Sequence, residues 1–221
     1  MSKRMNLKQV LTILAVAGAI VGMAATLSPA QEAKSIQLSK PDLGSGSSLM
    51  QALSKRMSSR EFSPDPLPVW VLSNLLWAGF GINRPNGMRT APSAMNWQDM
   101  DIYVILSDGL YLYDAKANQL KLLRAEDLRA LAGTQDYVKE APVNLIYVSD
   151  YAKMDSNMPD EAKTLLSGAH TGAIVENIYL YCASEGLATA VRGLIDRPAL
   201  STAMKLRPDQ KIILAQSVGY P

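Results

Sequence analysis

The sequence predicts an α+β domain in which a mixed, mainly antiparallel sheet packs between helices. Three observations support this fold class. Apolar residues recur at helical spacing in two segments before residue 80 and in one long segment over residues 159–185. Short runs typical of strands lie between and after these segments. A hairpin turn in the middle of the chain makes two of the strands antiparallel.

The first helix is predicted from apolar residues at intervals of four, Leu49, Leu53 and Met57. A second helix is predicted to begin at Pro68, because the fixed φ of proline suits the first helical turn, and to run to Trp77. Gly79 and Gly81 follow and are predicted to end this helix.

The strands are predicted from alternation and from short apolar runs. Residues 102–106 alternate, the Asp-Gly pair at 108–109 is typical of a hairpin turn, and residues 111–113 continue as the return strand. Residues 143–148 and 212–218 are predicted as further buried strands. The sequence contains no internal repeat.

The longest helix is predicted over residues 159–185, with apolar residues on or near one face: Leu165, Leu166, Ala169, Ala173, Ile178, Tyr181 and Leu187. Gly186 directly follows this helix. A glycine in this place is a common helix C-cap. The alternative is that a backbone N–H group at this turn is presented to a ligand.

Composition indicates one globular domain. Of the 221 residues, 48% are hydrophobic and 19% are charged, which argues against a disordered or fibrous chain. The single cysteine, Cys182, cannot form an internal disulfide and is predicted to be a small buried hydrophobic residue. Because there is no cluster of Cys and His residues, we expect no structural zinc site.

The first thirty residues predict an export signal peptide. Lys3, Arg4 and Lys8 form a basic leader, residues 10–25 are an almost uninterrupted run of small apolar residues, and Ser28-Pro29-Ala30 is typical of a cleavage site. The rival interpretation is a membrane anchor, but the apolar run falls short of the roughly 20 residues that cross a bilayer. We expect an exported, periplasmic protein.

The stretch at residues 2–8, reading SKRMNLK, resembles in part the twin-arginine export pattern S-R-R-x-F-L-K, so two secretion routes stay open. Residues 31–47, rich in Gly and Ser, are predicted as a linker to a domain over residues 48–221. Without the leader the chain is almost neutral and has no basic stripe, so we expect no nucleic-acid partner.

Two segments carry candidate binding residues. Arg56, Ser58 and Arg60, with Met57 between them, place two guanidinium groups and a hydroxyl where they could close on a phosphate. A solvent-exposed helix end is the alternative, since cations are favoured there. The loop from Arg89 to Gln98 is dense in side-chain donors and acceptors, although Pro, Ser and Asn are common in plain turns.

These segments together resemble the flavin-dependent nitroreductase family over about residues 49–221. The order is R-x-S-x-R at 56–60, P-S-x-x-N-x-Q at 92–98, and a long helix ending in E-G-L at 185–187 before a last strand. Residues 72–93, reading LSNLLWAGFGINRPNGMRTAPS, look most like the branch of SagB-type dehydrogenases. The C-terminal residues 218–221, reading VGYP, also resemble the end of the family's last strand.

The resemblance implies FMN as the cofactor, with roles for residues of all three motifs. Arg56, Ser58 and Arg60 would hold the phosphate and ribityl chain. The loop residues Pro92, Ser93, Ala94 and Asn96 would contact the flavin ring, generally from the partner of a homodimer, with Gln98 supporting the loop. Glu185, Gly186 and Leu187 would lie against the ring, where a backbone N–H could bond to flavin N5.

The implied activity is a ping-pong, two-electron oxidoreductase in which flavin N5 carries the chemistry and no side chain is a catalytic residue. The expected electron donor is NAD(P)H or, for an exported protein, a quinol or redox partner of the cell envelope. The small-molecule acceptor is expected to be a nitro compound, a quinone or, by analogy with the SagB branch, a peptide-derived heterocycle. A non-catalytic flavin-binding or cofactor-free protein of the envelope is the alternative.

Many family members continue past the last strand with Lys and Arg residues that complete the phosphate site, whereas the sequence here ends at Pro221. Arg192, Lys205 and Arg207 are the candidate replacements. His170, the only histidine, is expected to be a packed or surface residue of the long helix and not a catalyst.

Overall fold

The structure, a computed structural model, describes residues 35–221. This part of the chain holds one seven-stranded sheet in the order β1-β4-β3-β2-β5-β7-β6. Its strands are β1 (Ser35–Gln37), β2 (Met100–Leu106), β3 (Gly109–Asp114), β4 (Gln119–Arg124), β5 (Val143–Asp150), β6 (Ala188–Arg192) and β7 (Gln210–Gly219). The helices are α1 (Leu49–Lys55), α2 (Val69–Phe80), α3 (Tyr137–Glu140), α4 (Asp160–Glu185) and α5 (Arg197–Met204).

The predicted α+β class is confirmed, and every strand pair described is antiparallel. The sheet was predicted to be mixed and mainly antiparallel, whereas the described strand pairs include no parallel one. The hairpin at Asp108 and Gly109 joins β2 to β3 as predicted, with Leu106 paired to Gly109. The buried strands predicted at 143–148 and 212–218 are the inner parts of β5 and β7.

Helices cover both faces of the sheet because the central strands are apolar on both sides. In β2, Ile102 and Val104 join one core with residues of α2 and α4. Tyr103 and Ile105, which point to the opposite face, join a second core with residues of α3 and α5. The long helix α4 thus lies on the same side of the sheet as α2.

The first helix is shorter than predicted. It ends at Lys55, because Arg56 leaves the helical region with φ −56° and ψ 120°. Met57, which the spacing places on the buried face of a helix, is 65% exposed. The candidate residues 56–60 therefore follow α1 and are not part of a helix. The second helix includes Gly79 and ends at Phe80, with Gly81 as its C-cap.

The described part of the predicted linker is packed on the domain. Strand β1 pairs with β4, and Leu38 is only 4% exposed in the core. The backbone N–H of Asp42 donates to Asn74 Oδ1 at 3.0 Å, and that of Ser47 donates to Ser184 Oγ at 2.6 Å. Residues 35–47 thus belong to the folded unit, and the linker prediction does not hold for them.

The predicted signal peptide over residues 1–30 lies outside the described residues. Within residues 35–221, no helix combines the length and the apolar character that crossing a bilayer requires.

Candidate functional site

The segment 56–60 lies on the C-terminal half of α4 and on β6. The backbone N–H of Ser59 donates to the carbonyl oxygen of Thr189 in β6 at 2.9 Å. Arg56 and Ser58, two residues apart, both reach Tyr179 of α4. The position of the segment is therefore set by contacts with α4 and β6, which a sequence pattern does not show.

Tyr179 is the central residue of this contact, and its phenol is buried. Its oxygen accepts the backbone N–H of Val191 at 2.9 Å and lies 2.8 Å from Ser58 Oγ. The guanidinium carbon of Arg56 lies 5.2 Å from the centre of the Tyr179 ring, within cation–π range. Sequence analysis missed Tyr179 because a tyrosine on a helix carries no signal that distinguishes an anchor from ordinary core.

The two arginines of the segment keep their charge available. Arg56 and Arg60 are exposed, and neither forms an ion pair with any residue in the range 35–221. Ser58, also exposed, adds a hydroxyl between them. Two uncompensated guanidinium groups and a hydroxyl suit a dianionic phosphate, which they can bind with charge-assisted hydrogen bonds.

The E-G-L motif has the structure of a helix C-cap. Gly186 takes the left-handed conformation, with φ 71°, that ends many helices. The N–H groups of Gly186 and Leu187 both donate to the carbonyl oxygen of Cys182. In this structure these two groups are bonded within the helix end, and a contact of the motif with flavin N5 stays a prediction.

Glu185 itself lines a cavity of 460 Å³ between α1, α2 and α4. The polar groups of the lining are carboxylates, amides and hydroxyls, together with the Trp77 and Tyr181 side chains. No Lys or Arg is among its lining residues in the described chain, so this cavity does not supply further cations for a phosphate.

The loop 92–98 has an unusual backbone held by its own side chains. Met95, Asn96 and Gln98 have φ of 50°, 53° and 47°, which non-glycine residues rarely adopt. Gln98 donates from Nε2 to Asn96 Oδ1 at 3.1 Å and accepts from Arg89 Nε at 2.8 Å. Its backbone N–H donates to Ser93 Oγ at 3.0 Å. Gln98 thus bonds to both Ser93 and Asn96 of the loop, and its support of a flavin-contacting loop stays a prediction.

The start of the loop is bonded to α4 through His170. The backbone N–H of Ala94 donates to His170 Nε2 at 2.8 Å, and His170 Nδ1 lies 2.7 Å from Asp99 Oδ1. His170 is packed, as expected, but it also contacts a candidate site. Asp99, fully buried, was missed by sequence analysis because a lone aspartate before a strand is a common turn residue.

The two candidate segments are not neighbours within one chain. His170 and Tyr179, which contact them, are nine residues apart on α4. At about 100° and 1.5 Å per residue they point to opposite sides of the helix and lie roughly 13 Å apart along its axis. The residues 56–60 and the loop 92–98 therefore lie on different sides of α4.

The candidate replacement cations do not reach residues 56–60. Arg192 is buried and donates to Ser217 Oγ at 2.7 Å, Asn144 Oδ1 at 2.8 Å and the carbonyl oxygen of Ala132 at 3.0 Å. Burial lowers the pKa of Arg192 to about 10. Arg207 pairs with Asp150 at 2.8 Å, and Lys205 is the exposed C-cap of α5.

The comparison with protein families decides the identity. A family model described as the nitroreductase family matches residues 53–220. The chain belongs to the nitroreductase family. Family membership makes the protein an oxidoreductase by class and confirms the resemblance seen in its motifs. The SagB branch remains a prediction.

Individual relatives agree with this assignment. MJ1384 of Methanocaldococcus jannaschii, named as a candidate nitroreductase, is 27% identical over 169 residues, which are 72% of this chain and 85% of that protein. A crystal structure of a candidate nitroreductase from Ralstonia eutropha is 44% identical, with a TM-score of 0.81 over 86% of this chain and 90% of that one.

More distant solved structures share the fold. A candidate nitroreductase from Desulfovibrio desulfuricans, solved in complex with FMN, has a TM-score of 0.57 at 23% identity and covers 79% of this chain and 87% of that one. An NADPH:FMN oxidoreductase from Vibrio harveyi, complexed with NAD⁺, has a TM-score of 0.58 at 20% identity. The match covers 78% of this chain and 68% of that one.

Proposed function

We propose that this nitroreductase family member is an FMN-dependent oxidoreductase whose flavin lies between two subunits of a homodimer. The observation that carries the proposal is the pair of exposed, unpaired guanidinium groups at Arg56 and Arg60 around the Ser58 hydroxyl. FMN in the Desulfovibrio relative and in the name of the Vibrio oxidoreductase supports the choice of cofactor.

At the phosphate end, Arg56, Ser58 and Arg60 would hold the phosphate and the ribityl chain. The contacts of Ser58 and Arg56 with Tyr179 fix this end before the cofactor arrives, which reduces the entropy cost of binding. Met57, which is exposed between them, is available to cover the cofactor.

At the ring end, we assign the loop 92–98 of the partner subunit. The loop lies on the other side of α4 from residues 56–60, so one chain alone does not close the site. The exposed surface of α4 suits a contact between two copies, since Leu165 is 75% exposed and Gly168 and Gly172 are exposed without bulky side chains. The loop tip, Met95, is 82% exposed.

The bound flavin would accept a hydride from a donor and pass two electrons to an acceptor, and the protein would supply binding and orientation. No side chain has to act as nucleophile or general base. Because donor and acceptor would use the same ring face in turn, we expect ping-pong kinetics. Glu185, Gly186 and Leu187 would lie against the ring, and a backbone N–H of this motif would donate to flavin N5.

We further propose export to the periplasm, on the composition of residues 1–30 alone. The donor would then be a quinol or a redox partner of the envelope, with NAD(P)H as the donor if the protein stays in the cytoplasm. A nitro compound, a quinone or, in a SagB-type role, a peptide-derived heterocycle would be the acceptor.

The function is tested by loading the purified full chain with FMN, separating free flavin by gel filtration and measuring the two half-reactions without oxygen. We expect the visible flavin absorption to travel with the protein. We expect it to bleach with NADH, NADPH or a reduced quinone, and to return when a nitroaromatic or quinone is added after removal of the donor. A flavin that binds but is not reduced by any of the three donors would contradict the oxidoreductase proposal.

A second function is favoured by one observation. Within residues 35–221, two of the three candidate replacement cations, Arg192 and Arg207, bond to other parts of the fold. This supports a flavin-binding or cofactor-free interaction protein of the envelope. Retention of FMN with no turnover, or no retention of FMN, would favour this alternative.

A further inference from the structure

The loop 92–98 has to be held in its conformation by its surroundings. Three of its non-glycine residues, Met95, Asn96 and Gln98, have positive φ. Residues in this region carry a conformational penalty and persist only where neighbouring contacts fix them, often at functional sites. The contacts that fix this loop are therefore part of how a ligand surface is built.

Two contacts fix the loop from opposite ends. Near its C-terminal end, Arg89 donates to Gln98 Oε1 at 2.8 Å and to the carbonyl oxygen of Phe80 at 2.9 Å. Near its start, the contact is the hydrogen bond from Ala94 N–H to His170 Nε2 at 2.8 Å. The second contact joins the loop to α4, which is the rigid helix that also carries Tyr179.

The geometry defines where the proton of His170 lies. A backbone N–H can only donate, so His170 Nε2 accepts from Ala94 and carries no proton. The proton is therefore on Nδ1, which donates to Asp99 Oδ1 at 2.7 Å. Asp99 Oδ2 accepts a further hydrogen bond from Ser149 Oγ at 2.8 Å. Because Asp99 is fully buried and His170 only 6% exposed, this arrangement is shielded from water.

We propose that His170 is a positioning residue for the flavin-contacting loop, with Asp99 holding the tautomer that presents Nε2 to Ala94. Its role is indirect, since it acts through the backbone of Ala94 and does not touch the cofactor. The inference rests on the proposed function in one respect, namely that the loop contacts the flavin. The order that His170 imposes on the loop is independent of the cofactor.

Two substitutions separate this role from mere packing. In His170→Gln, Oε1 lies the same number of bonds from the backbone as Nε2 of histidine, so the acceptor for Ala94 is kept and the donor to Asp99 is removed. In His170→Asn, the amide lies where Nδ1 was, so the donor to Asp99 is kept and the acceptor for Ala94 is removed. Circular dichroism and thermal unfolding establish that both variants fold, and His170→Ala removes both bonds.

The direct measurement is hydrogen exchange of the Ala94 amide in the flavin-free full chain. Removal of a single hydrogen bond is expected to speed this exchange about five- to tenfold. We expect this acceleration in His170→Asn and His170→Ala, and exchange close to wild type in His170→Gln. Wild-type protection in His170→Asn, or fast exchange in His170→Gln, would overturn the proposal.

The second measurement is the dissociation constant of FMN, followed by quenching of flavin fluorescence. We expect the Asn variant to bind FMN about five- to tenfold more weakly than the Gln variant. Equal affinity of the two variants would overturn the link between loop order and flavin binding. If the wild-type chain binds no FMN, the proposed function fails, whereas the exchange experiment still decides whether His170 orders the loop.

Discussion

At the scale of single residues, the proposed phosphate site depends on two arginines that the fold leaves exposed. Arg56 and Arg60 form no ion pair within the described chain. Even an exposed ion pair would add little to the free energy of unfolding. We propose that these two arginines, next to the anchored Ser58, serve to bind an anionic ligand. The interpretation as a plain helix end is weakened, because the segment follows α1 and is held by Tyr179 and Thr189.

We predict that the double substitution Arg56→Ala with Arg60→Ala abolishes FMN binding at micromolar concentration. Each charge-assisted hydrogen bond to the phosphate is worth about 1.5 to 3 kcal/mol, so removing both arginines should raise the dissociation constant at least about a hundredfold. Isothermal titration calorimetry measures the affinity, and thermal unfolding should change little because both side chains are exposed.

The matched control is Lys116→Ala with Lys139→Ala, which removes the same charge from exposed positions in the β3–β4 turn and on α3. Affinity for FMN should then stay at the wild-type value. An equal decrease in the control and in the arginine double variant would show that net charge, not the segment 56–60, governs binding.

At the scale of elements, the packing of residues 35–47 on the domain can be tested by substitution. Leu38 is 4% exposed and follows β1, so Leu38→Ala should leave a cavity in the core and lower the free energy of unfolding by about 2 to 4 kcal/mol. Leu43, 74% exposed in the same segment, is the control, and Leu43→Ala should cost almost nothing. Urea unfolding measures both. If both substitutions lowered the free energy of unfolding equally little, residues 35–47 would have to be interpreted as a linker.

Elements with strong periodicity could be predicted from the sequence, and those that depend on distant partners could not. The long helix α4 and the β2–β3 hairpin are confirmed because their signals are local. Strand β4 alternates polar with apolar residues only weakly and is defined by its pairing with β3, and β1 has three residues and is defined by its pairing with β4. The short helix α5 was not predicted, since only two of its eight residues, Leu200 and Met204, are buried in the second core and its apolar pattern is short.

In the candidate site too, local motifs could be predicted from the sequence and contacts with distant residues could not. The motif residues of 56–60 and 92–98 could be named from the sequence. Their anchors, Tyr179 for the first segment and His170 with Asp99 for the second, are defined by contacts between residues 71 to 121 positions apart. The helix cap formed by the E-G-L motif, with Gly186 and Leu187 N–H bonded to the Cys182 carbonyl, could not be distinguished from a ligand contact by sequence spacing, and its place against the flavin stays a prediction.

At the scale of the whole molecule, the central claim is that each flavin site needs two chains. The α4 residues that contact residues 56–60 and the loop 92–98 point to opposite sides of the helix, and we therefore propose that a partner chain supplies one half of each site. Dimerisation is therefore proposed as a condition for cofactor binding, and a monomer loaded with flavin, seen by sedimentation, would be incompatible with it.

The most direct test mixes two chains, each defective in one half of the site. One carries Arg56→Ala with Arg60→Ala, the other Ser93→Ala with Asn96→Ala, and each alone should bind FMN weakly. If sites are shared, half of the randomly mixed dimers are heterodimers and one of the two sites in each is intact, so about a quarter of all sites should bind FMN with wild-type affinity. No tight sites in the co-refolded mixture would contradict a flavin site shared between subunits.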